Sequence, residues 1–599
     1  MIKSTCKILF GLIAFSAALF LQSCGDSEKG GGTVSSRCVD CVITHELSDP
    51  EELTPLNAND NSATIVFQQV FQTLVHIDFK TYQIVPVLAT QVPEIIQNPD
   101  GSVDVSMEIR PEAKWDNGEP ITGHDVAFSL KVLLNPKTDS KALKPYFDKV
   151  KDVIIDEANP KKFVIKYAEP YMAIKPSLSD LYIIPSYVYD QDGIMKNFTV
   201  KQIHDDSYAA DGQKTLKDDP NIQRFAEQYN DVKFKREVIV GSGPYRFHRW
   251  VTDQRVIIKL KEDWWGNEVE ASSNWFEANP SEVIFESIND LTTAVVAMKG
   301  EKLDAMRSIP PGDLVNDLSQ SETFMAKFDT FTPPLFAYDY IAINMKLEKF
   351  SDVRTRKALA HIMNVQQLID TYCYGLGEPV ASFTHPSLTE RLNPNVQPYA
   401  YDLDQAEALL AEAGWKDSDG NGLLDMEIDG EVKDFVIELN YNTGNKRRET
   451  ACLIFSEAAR KVGIKVEVIS LEWAVLLERN KVHDFEMFVS GWISSPFESD
   501  PKQIWHTDSY NDKGSNYTGF GNEESDGIIE ELRRELDDAK RYELYKRLHQ
   551  IIHDDVPYIF LLAQKERIAI ANRFGNSYGS GIRPGYWTSG FTISTPTPN

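Results

Sequence analysis

Three short stretches hold side chains capable of metal, redox or phosphate chemistry. Cys38-Val-Asp-Cys41, with His45 close by, has the spacing of half a zinc site or of a redox pair. Nothing local supplies a fourth metal ligand. A redox pair normally opens a helix in a βαβ unit, so these cysteines read as a local disulfide or as chemically idle. Asp417, Asp419, Asn421, Gly422 and Asp425 imitate the start of an EF-hand loop. The twelfth position is Ile428, where a bidentate Glu is needed, and the flanking helix-loop-helix is missing. A turn entering a β-hairpin is expected there, with no metal. Val240-Gly-Ser-Gly-Pro-Tyr-Arg-Phe247 is glycine-rich, but no Lys-Ser/Thr follows to make it a phosphate loop. Its glycines suit a tight turn feeding a strand. H-E-x-x-H and P-loop motifs are absent, and the histidines are scattered. No catalytic residue and no cofactor is expected.

The elements that would carry a site are clearest in Val105 to Leu134. Val105, Met107 and Ile109 alternate with Ser106, Glu108 and Arg110, the period of a half-buried strand. Asp116-Asn117-Gly118 is a turn signal. Thr122-Gly-His-Asp125 reads as a capping box, and Val126, Leu130, Leu133 and Leu134 form the inner face of the helix that follows. A similar strand, loop and helix runs from Val42 to Asp78, the helix starting near Ser62.

The chain of 599 residues exceeds the roughly 250–300 at which one core stops growing, so two or three lobes are expected. Hydrophobic residues make up 42% and charged residues 25%, ordinary for a water-soluble globular protein. A formal charge of −28 opposes binding to nucleic acid. The acidity is either a solubility device or the mark of an acidic pocket for cationic ligands. Lys3 and Lys7 precede the apolar run 8–21, which is too short for an ordinary membrane span. Leu21-Gln-Ser-Cys24 resembles the lipobox of bacterial lipoproteins. It implies a signal peptide over 1–23, a lipid on Cys24 and a flexible Gly/Ser-rich tether over 24–41. Cys373 and Cys452 are expected as buried single thiols.

The residue identities in these elements add more. R-P-E-A-K-W-D-N-G-E-P-I-T-G-H-D-V-A-F-S, starting at Arg110, resembles the signature of the family 5 extracellular solute-binding proteins, the receptors of dipeptide, oligopeptide and nickel ABC importers. The resemblance continues in order through Val240–Phe247, Asp263-Trp-Trp-Gly266, Tyr338–Leu359, Asp402–Asp425, the tryptophans Trp473 and Trp492, and Ser515–Leu532. The fold it implies is α/β, two-lobed and periplasmic-binding-protein-like (type II, cluster C-like), with an extra subdomain and a discontinuous first lobe. The implied division is lobe I over 42–335 with a subdomain near 80–190, lobe II over 336–562, and a return to lobe I over 563–599.

By the same resemblance, ligand sits between the lobes and closure buries it. The residues following Pro55 in Leu53–Asn61 face ligand in peptide-binding members, which makes Asn59, Asp60 and Asn61 candidates; equally, they cap the helix. Tyr340 falls on a contacting strand, and Trp473 and Trp492 align with pocket tryptophans. Arg354 and Arg356 are expected to form structural ion pairs. The Asp that holds a peptide amine is replaced by Ser495, leaving Glu498 or Asp500 as substitutes. Arginines that hold the peptide carboxylate fall on Asn480 and Val489, with Arg479 adjacent. The implied partners are an ABC permease of the peptide importer class, a small peptide or related solute, and the membrane through the N-terminal lipid. The implied protein is a monomer of the cell envelope, facing the periplasm or the exterior, and not an enzyme. Binding of nickel, haem or a glycan, an adhesive or structural role, and a hydrolase are the competing readings.

Overall fold

The strand Cys41–Glu46 is almost wholly buried, as its apolar and β-branched sequence requires, and it lies at the centre of a seven-stranded sheet. These features come from a computed structural model that describes residues 38–593 except 58, 59, 211, 271, 272, 429, 498, 512 and 513. The signal segment, Cys24, Asn59 and Glu498 lie outside the described residues. Residues from Asp40 onward form one unit; of the unit before it, only Cys38 and Val39 are described, both exposed.

The sheet runs in the order Tyr245–Val251, Arg255–Leu260, Glu282–Ser287, Cys41–Glu46, Ala305–Met306, Ile568–Ala571, Phe328–Phe331. Cys41–Glu46 pairs in parallel with Glu282–Ser287, whereas Ile568–Ala571 inserts antiparallel between two strands far earlier in the chain. One carboxylate fastens these distant segments. Asp304, fully buried, receives Arg573 Nε and Nη2 on its two oxygens at 2.9 and 3.0 Å and the Ile43 amide at 2.9 Å. Arg573 Nη2 also donates to the Cys41 carbonyl at 2.9 Å.

The second sheet has five strands, in the order Lys465–Leu471, Val436–Asn442, Met487–Ile493, Ala337–Ile343, Tyr558–Phe560. The chain passes between the two sheets at 332–336 and again at 561–567, and the crossings run side by side. Leu335 N donates to the Gln564 carbonyl at 3.0 Å, and Glu566 N to the Pro333 carbonyl at 2.8 Å. Arg567 anchors the second crossing, its Nε donating to the Ile309 carbonyl at 2.7 Å.

A smaller four-stranded sheet, Glu94–Gln97, Val103–Glu108, Lys162–Tyr167 and Val150–Ile155, carries the helix Gly123–Leu134. Val103–Glu108 alternates buried and half-buried positions, matching the sequence period. The Thr122 and Asp125 side chains cap the helix reciprocally, and Trp115 Nε1 donates to Asp125 at 3.2 Å. The polar stretch beyond folds into helices such as Val200–Tyr208 and Pro220–Tyr229, which cover the same core through Ile203, Ile222 and Phe225.

Two expectations change in physical meaning. Gly241 and Gly243 are required by close approach, not by a tight turn. A Cβ on Gly241 would meet the Val70 carbonyl oxygen at 2.3 Å, and one on Gly243 the Gln69 carbonyl oxygen at 2.7 Å. The Asp417 and Asp425 carboxylates serve their own loop: Asp417 accepts from Gly420 N and Gly422 N, and Asp425 from Ser418 N. The hairpin Asp425–Ile428 with Glu431–Asp434 follows. Cys373 and Cys452 are buried and unpaired, and burial pushes the Cys373 thiol up to about 11. Arg354 pairs with Asp352 at 2.6 Å and Arg356 with Asp555 at 2.5 Å.

Arg573→Met should cost about 3 kcal/mol of unfolding free energy, because it leaves the Asp304 charge buried without its partner. Denaturant unfolding measures the loss; an unchanged midpoint would show that the C-terminal strand is held by pairing alone.

Candidate functional site

The strands Ala337–Ile343 and Met487–Ile493 pair antiparallel with Tyr338 opposite Trp492, so both rings reach the end of the sheet nearest the first lobe. Between them the backbone must leave room for an ion pair. Asp339 lies opposite Gly491, pairs with Arg447 at 2.7 Å and is nearly inaccessible to solvent. A Cβ on Gly491 would sit 2.6 Å from Asp339 Oδ1.

Beyond Tyr338 and Trp492 opens a cavity of about 1010 Å³, at the upper end of the roughly 300–1,000 Å³ range of ligand pockets. It exceeds the concavities of about 390 Å³ near Phe163 and about 300 Å³ near Lys261. One wall comes from the first lobe and its subdomain: His76, Tyr146, Tyr171, Ser179 and Asp180. The other comes from the second lobe: Phe383, Ser494, Ser495, Asp500 and Trp505, besides Tyr338 and Trp492. Aromatic faces alternate with hydroxyls. Ser179 Oγ and Ser494 Oγ are buried without a hydrogen-bond partner, one on each wall.

The walls meet at one rim. Met172 N of the first lobe donates to the Arg533 carbonyl at 2.8 Å, and the Arg533 guanidinium lies 5.9 Å from the Tyr171 ring centroid. Arg533 Nε donates to Asp500 at 2.8 Å, and Lys502 N donates to the same carboxylate at 2.9 Å. The other cations lining the cavity are also paired: Lys149 with Glu169 at 2.9 Å, and Lys502 with Glu530 at 2.6 Å and Asp508 at 3.8 Å. With Asp148, 4.0 Å from Lys149, and Asp180, three cations meet six carboxylates, and the local field is acidic. Desolvation pushes His76 down to about 3, so His76 is neutral at ordinary pH, whereas Asp180 on the same wall is solvent-exposed.

Of the residues expected from sequence, Trp492, Ser495 and Asp500 line this cavity. Ser495 Oγ accepts from Phe497 N at 3.1 Å, and Asp500 is engaged by Arg533. The other described ones lie elsewhere. Asp60 is the N-cap of the helix Asn61–Phe67, accepting from Ala63 N at 2.8 Å; Asn61 is the exposed first residue of that helix. Tyr340 sits one step below Tyr338, its ring stacked on Tyr558 at 3.8 Å and its surface 1% exposed. Trp473 begins the helix Trp473–Lys481, is 46% exposed and is covered on one side by Arg448. Arg479 is held by Glu438 and Asp484, each at 2.9 Å. Asp180, Ser179, Tyr146, Tyr171 and Arg533 carry no short-range sequence signal. They come together only through tertiary packing.

Two α/β lobes, a double crossing and a walled cleft between them define the class of two-lobed solute-binding proteins. Residues 83–514 match the model of "Bacterial extracellular solute-binding proteins, family 5 Middle", and the chain belongs to that family. The oligopeptide-binding protein AppA of Bacillus subtilis (strain 168) is 25% identical over 565 residues, covering 92% of each chain. AppA's structure in complex with a nonapeptide superposes with a TM-score of 0.67 at 23% identity, over 93% of this chain and 99% of that one. NikA of Brucella suis in complex with Fe(III)-EDTA gives 0.72 at 17% identity, over 92% and 100%. These two structures share the fold while holding ligands of different chemistry. No helix among the described residues is long and apolar enough to cross a membrane.

Gly491→Ala should force the Asp339 carboxylate and the neighbouring strand apart, costing about 1–3 kcal/mol and shifting Trp492. The check is the melting temperature together with tryptophan emission; a variant with wild-type values in both would show that the strand pair does not set the Trp492 position.

Proposed function

We propose that the protein is the solute receptor of an ABC importer of the peptide class, capturing small peptides or a related solute by closure of its lobes. The observation that carries this reading is the cavity of about 1010 Å³ walled from both lobes, with buried hydroxyls on each wall still lacking partners. A solute that touches both walls binds the closed state more tightly than the open one, and the equilibrium shifts by that difference. Hinge closure at paired crossings is the known structural route. The volume suits a short peptide better than a bare ion. Among the described cavity-lining residues there is a single histidine and no cysteine, a poor set for nickel or haem iron. Relatives whose names state oligopeptide and dipeptide binding support the peptide reading.

In this reading residues 42–335, with the subdomain near 80–190, and 563–599 act as one jaw, and 336–562 as the other. Trp492, Ser495 and Asp500 contact solute or the residues that do. Cys24 carries the lipid that holds a monomer at the cell envelope, and the closed form is what the permease recognises.

Protein purified natively and then denatured should release a small molecule, with peptides visible by mass spectrometry. An empty cleft would favour an adhesive or structural role, and turnover of added peptide would favour a hydrolase; either result rejects the receptor.

A further inference from the structure

Phe383, Ser494 and Ser495 of the second-lobe wall border both the large cavity and a niche of about 30 Å³, which Thr384, His385 and Tyr545 also line. That is room for about two water-sized groups. His385 is 2% exposed, and its neighbours fix where its proton sits. Ser387 N donates to Nδ1 at 3.1 Å, so Nδ1 is the acceptor and the proton of the neutral ring is on Nε2. Burial pulls the imidazole down to about 4, which keeps the ring neutral at ordinary pH. Nε2 is itself buried without a hydrogen-bond partner among the described residues, and so is Ser494 Oγ. A buried donor left without an acceptor is costly, and this niche holds two such groups.

The polar groups around them are engaged elsewhere. Thr384 Oγ1 lies 3.0 Å from His549 Nε2, Ser495 Oγ accepts from Phe497 N at 3.1 Å, and Tyr545 Oη donates to the Ser499 carbonyl at 2.6 Å. Ser494 N donates to the Phe336 carbonyl at 2.9 Å. Phe336 ends the first crossing between the lobes. Its ring centroid is 5.1 Å from that of His385 and 5.3 Å from that of Tyr82 in the first lobe. The niche therefore sits where the wall of the cleft meets the hinge. Its described lining is uncharged apart from Arg391, whose guanidinium lies 5.4 Å from the Tyr542 ring centroid. In a cleft that is otherwise acidic, this corner offers hydrogen-bond donors.

We propose that the niche is a specificity subsite for an uncharged side chain of the solute ending in a hydrogen-bond acceptor, a carboxamide or a hydroxyl, held by His385 Nε2–H and Ser494 Oγ. The proposal rests on the receptor reading and deepens it: the main cavity holds the body of the solute, and the niche selects among solutes of similar size. An apolar side chain of the same length fills the space but leaves both groups unmet. A site built to hydrogen-bond a solute group rejects the analogue lacking it more strongly than a hydrophobic pocket resolves one methylene.

The full chain, stripped of bound solute, is titrated with two matched sets of tri- to pentapeptides in which Gln is exchanged for Met at each position in turn, with binding read by calorimetry. At one position the Gln peptide should bind about 10-fold more tightly than its Met counterpart. Ser494→Ala keeps the Ser494 amide on the Phe336 carbonyl, and His385→Phe keeps a ring against Phe336. Each should erase the Gln preference, and S494A should leave the affinity for Met peptides unchanged. Equal binding of the two sets by wild type, or a preference that survives both substitutions, overturns the proposal. So does a parallel fall of both affinities in S494A, which marks a structural role. If no peptide of either set binds, the peptide reading fails separately, and the niche is decided on natively purified protein crystallised with its own solute. A carbonyl or hydroxyl oxygen of that solute within hydrogen-bond distance of His385 Nε2 supports the subsite. An ordered water there, with the solute confined to the main cavity, overturns it.

Discussion

The side-by-side crossings at 332–336 and 561–567 are the constraint on which the rest of the structure depends. One crossing would let the lobes swivel; two hydrogen-bonded crossings restrict them to opening and closing about a shared line. The constraint exists because the first lobe is discontinuous. Ile568–Ala571 must return to a sheet begun at Cys41, and it is held there by strand pairing on both edges and by Arg573 on the buried Asp304. The return segment is thus both a core strand and one half of the hinge. Glu566 and Arg567, buried at the crossing, tie it to the first lobe through Ser308 N and the Ile309 carbonyl.

A protein interior normally pairs its polar groups, and this one does so nearly everywhere around the cavity: Asp339 with Arg447, Asp500 with Arg533, Lys502 with Glu530. Among the described lining residues, Ser179 Oγ and Ser494 Oγ are buried without a hydrogen-bond partner, one on each wall. Unmet polar groups on two walls favour an occupant that meets both, and closure is the geometry in which it can. The overall acidity of the chain, either a solubility device or a local pocket from composition alone, has a local expression here in three cations facing six carboxylates.

Local patterns were readable and depth was not. The alternation in Val103–Glu108 and the Thr122–Asp125 cap follow from short-range rules, and the ordered motifs pointed to the two-lobed fold. Trp492 and Trp473 were both named by the family resemblance, and Trp492 does line the cavity. Trp473 has the same residue type but starts a helix on the outer surface, a placement decided by packing. Tyr338 and Tyr340 share a strand face, and only the position of Tyr558 determines that the second is floor and the first is wall. Arg479 was drawn away by Glu438 and Asp484, and Asp60 by its own helix. Asp180 was invisible for a different reason: nothing in Leu178-Ser-Asp-Leu-Tyr182 distinguishes an acid lining a cleft from one elsewhere on the surface.

Capture by closure is tested most directly by small-angle X-ray scattering on the same protein loaded with its native solute and stripped of it. A clamp has a smaller radius of gyration when loaded and widens when emptied, with its lobes otherwise unchanged. Superimposable profiles in the two states would contradict it and leave a rigid body with a fixed pocket.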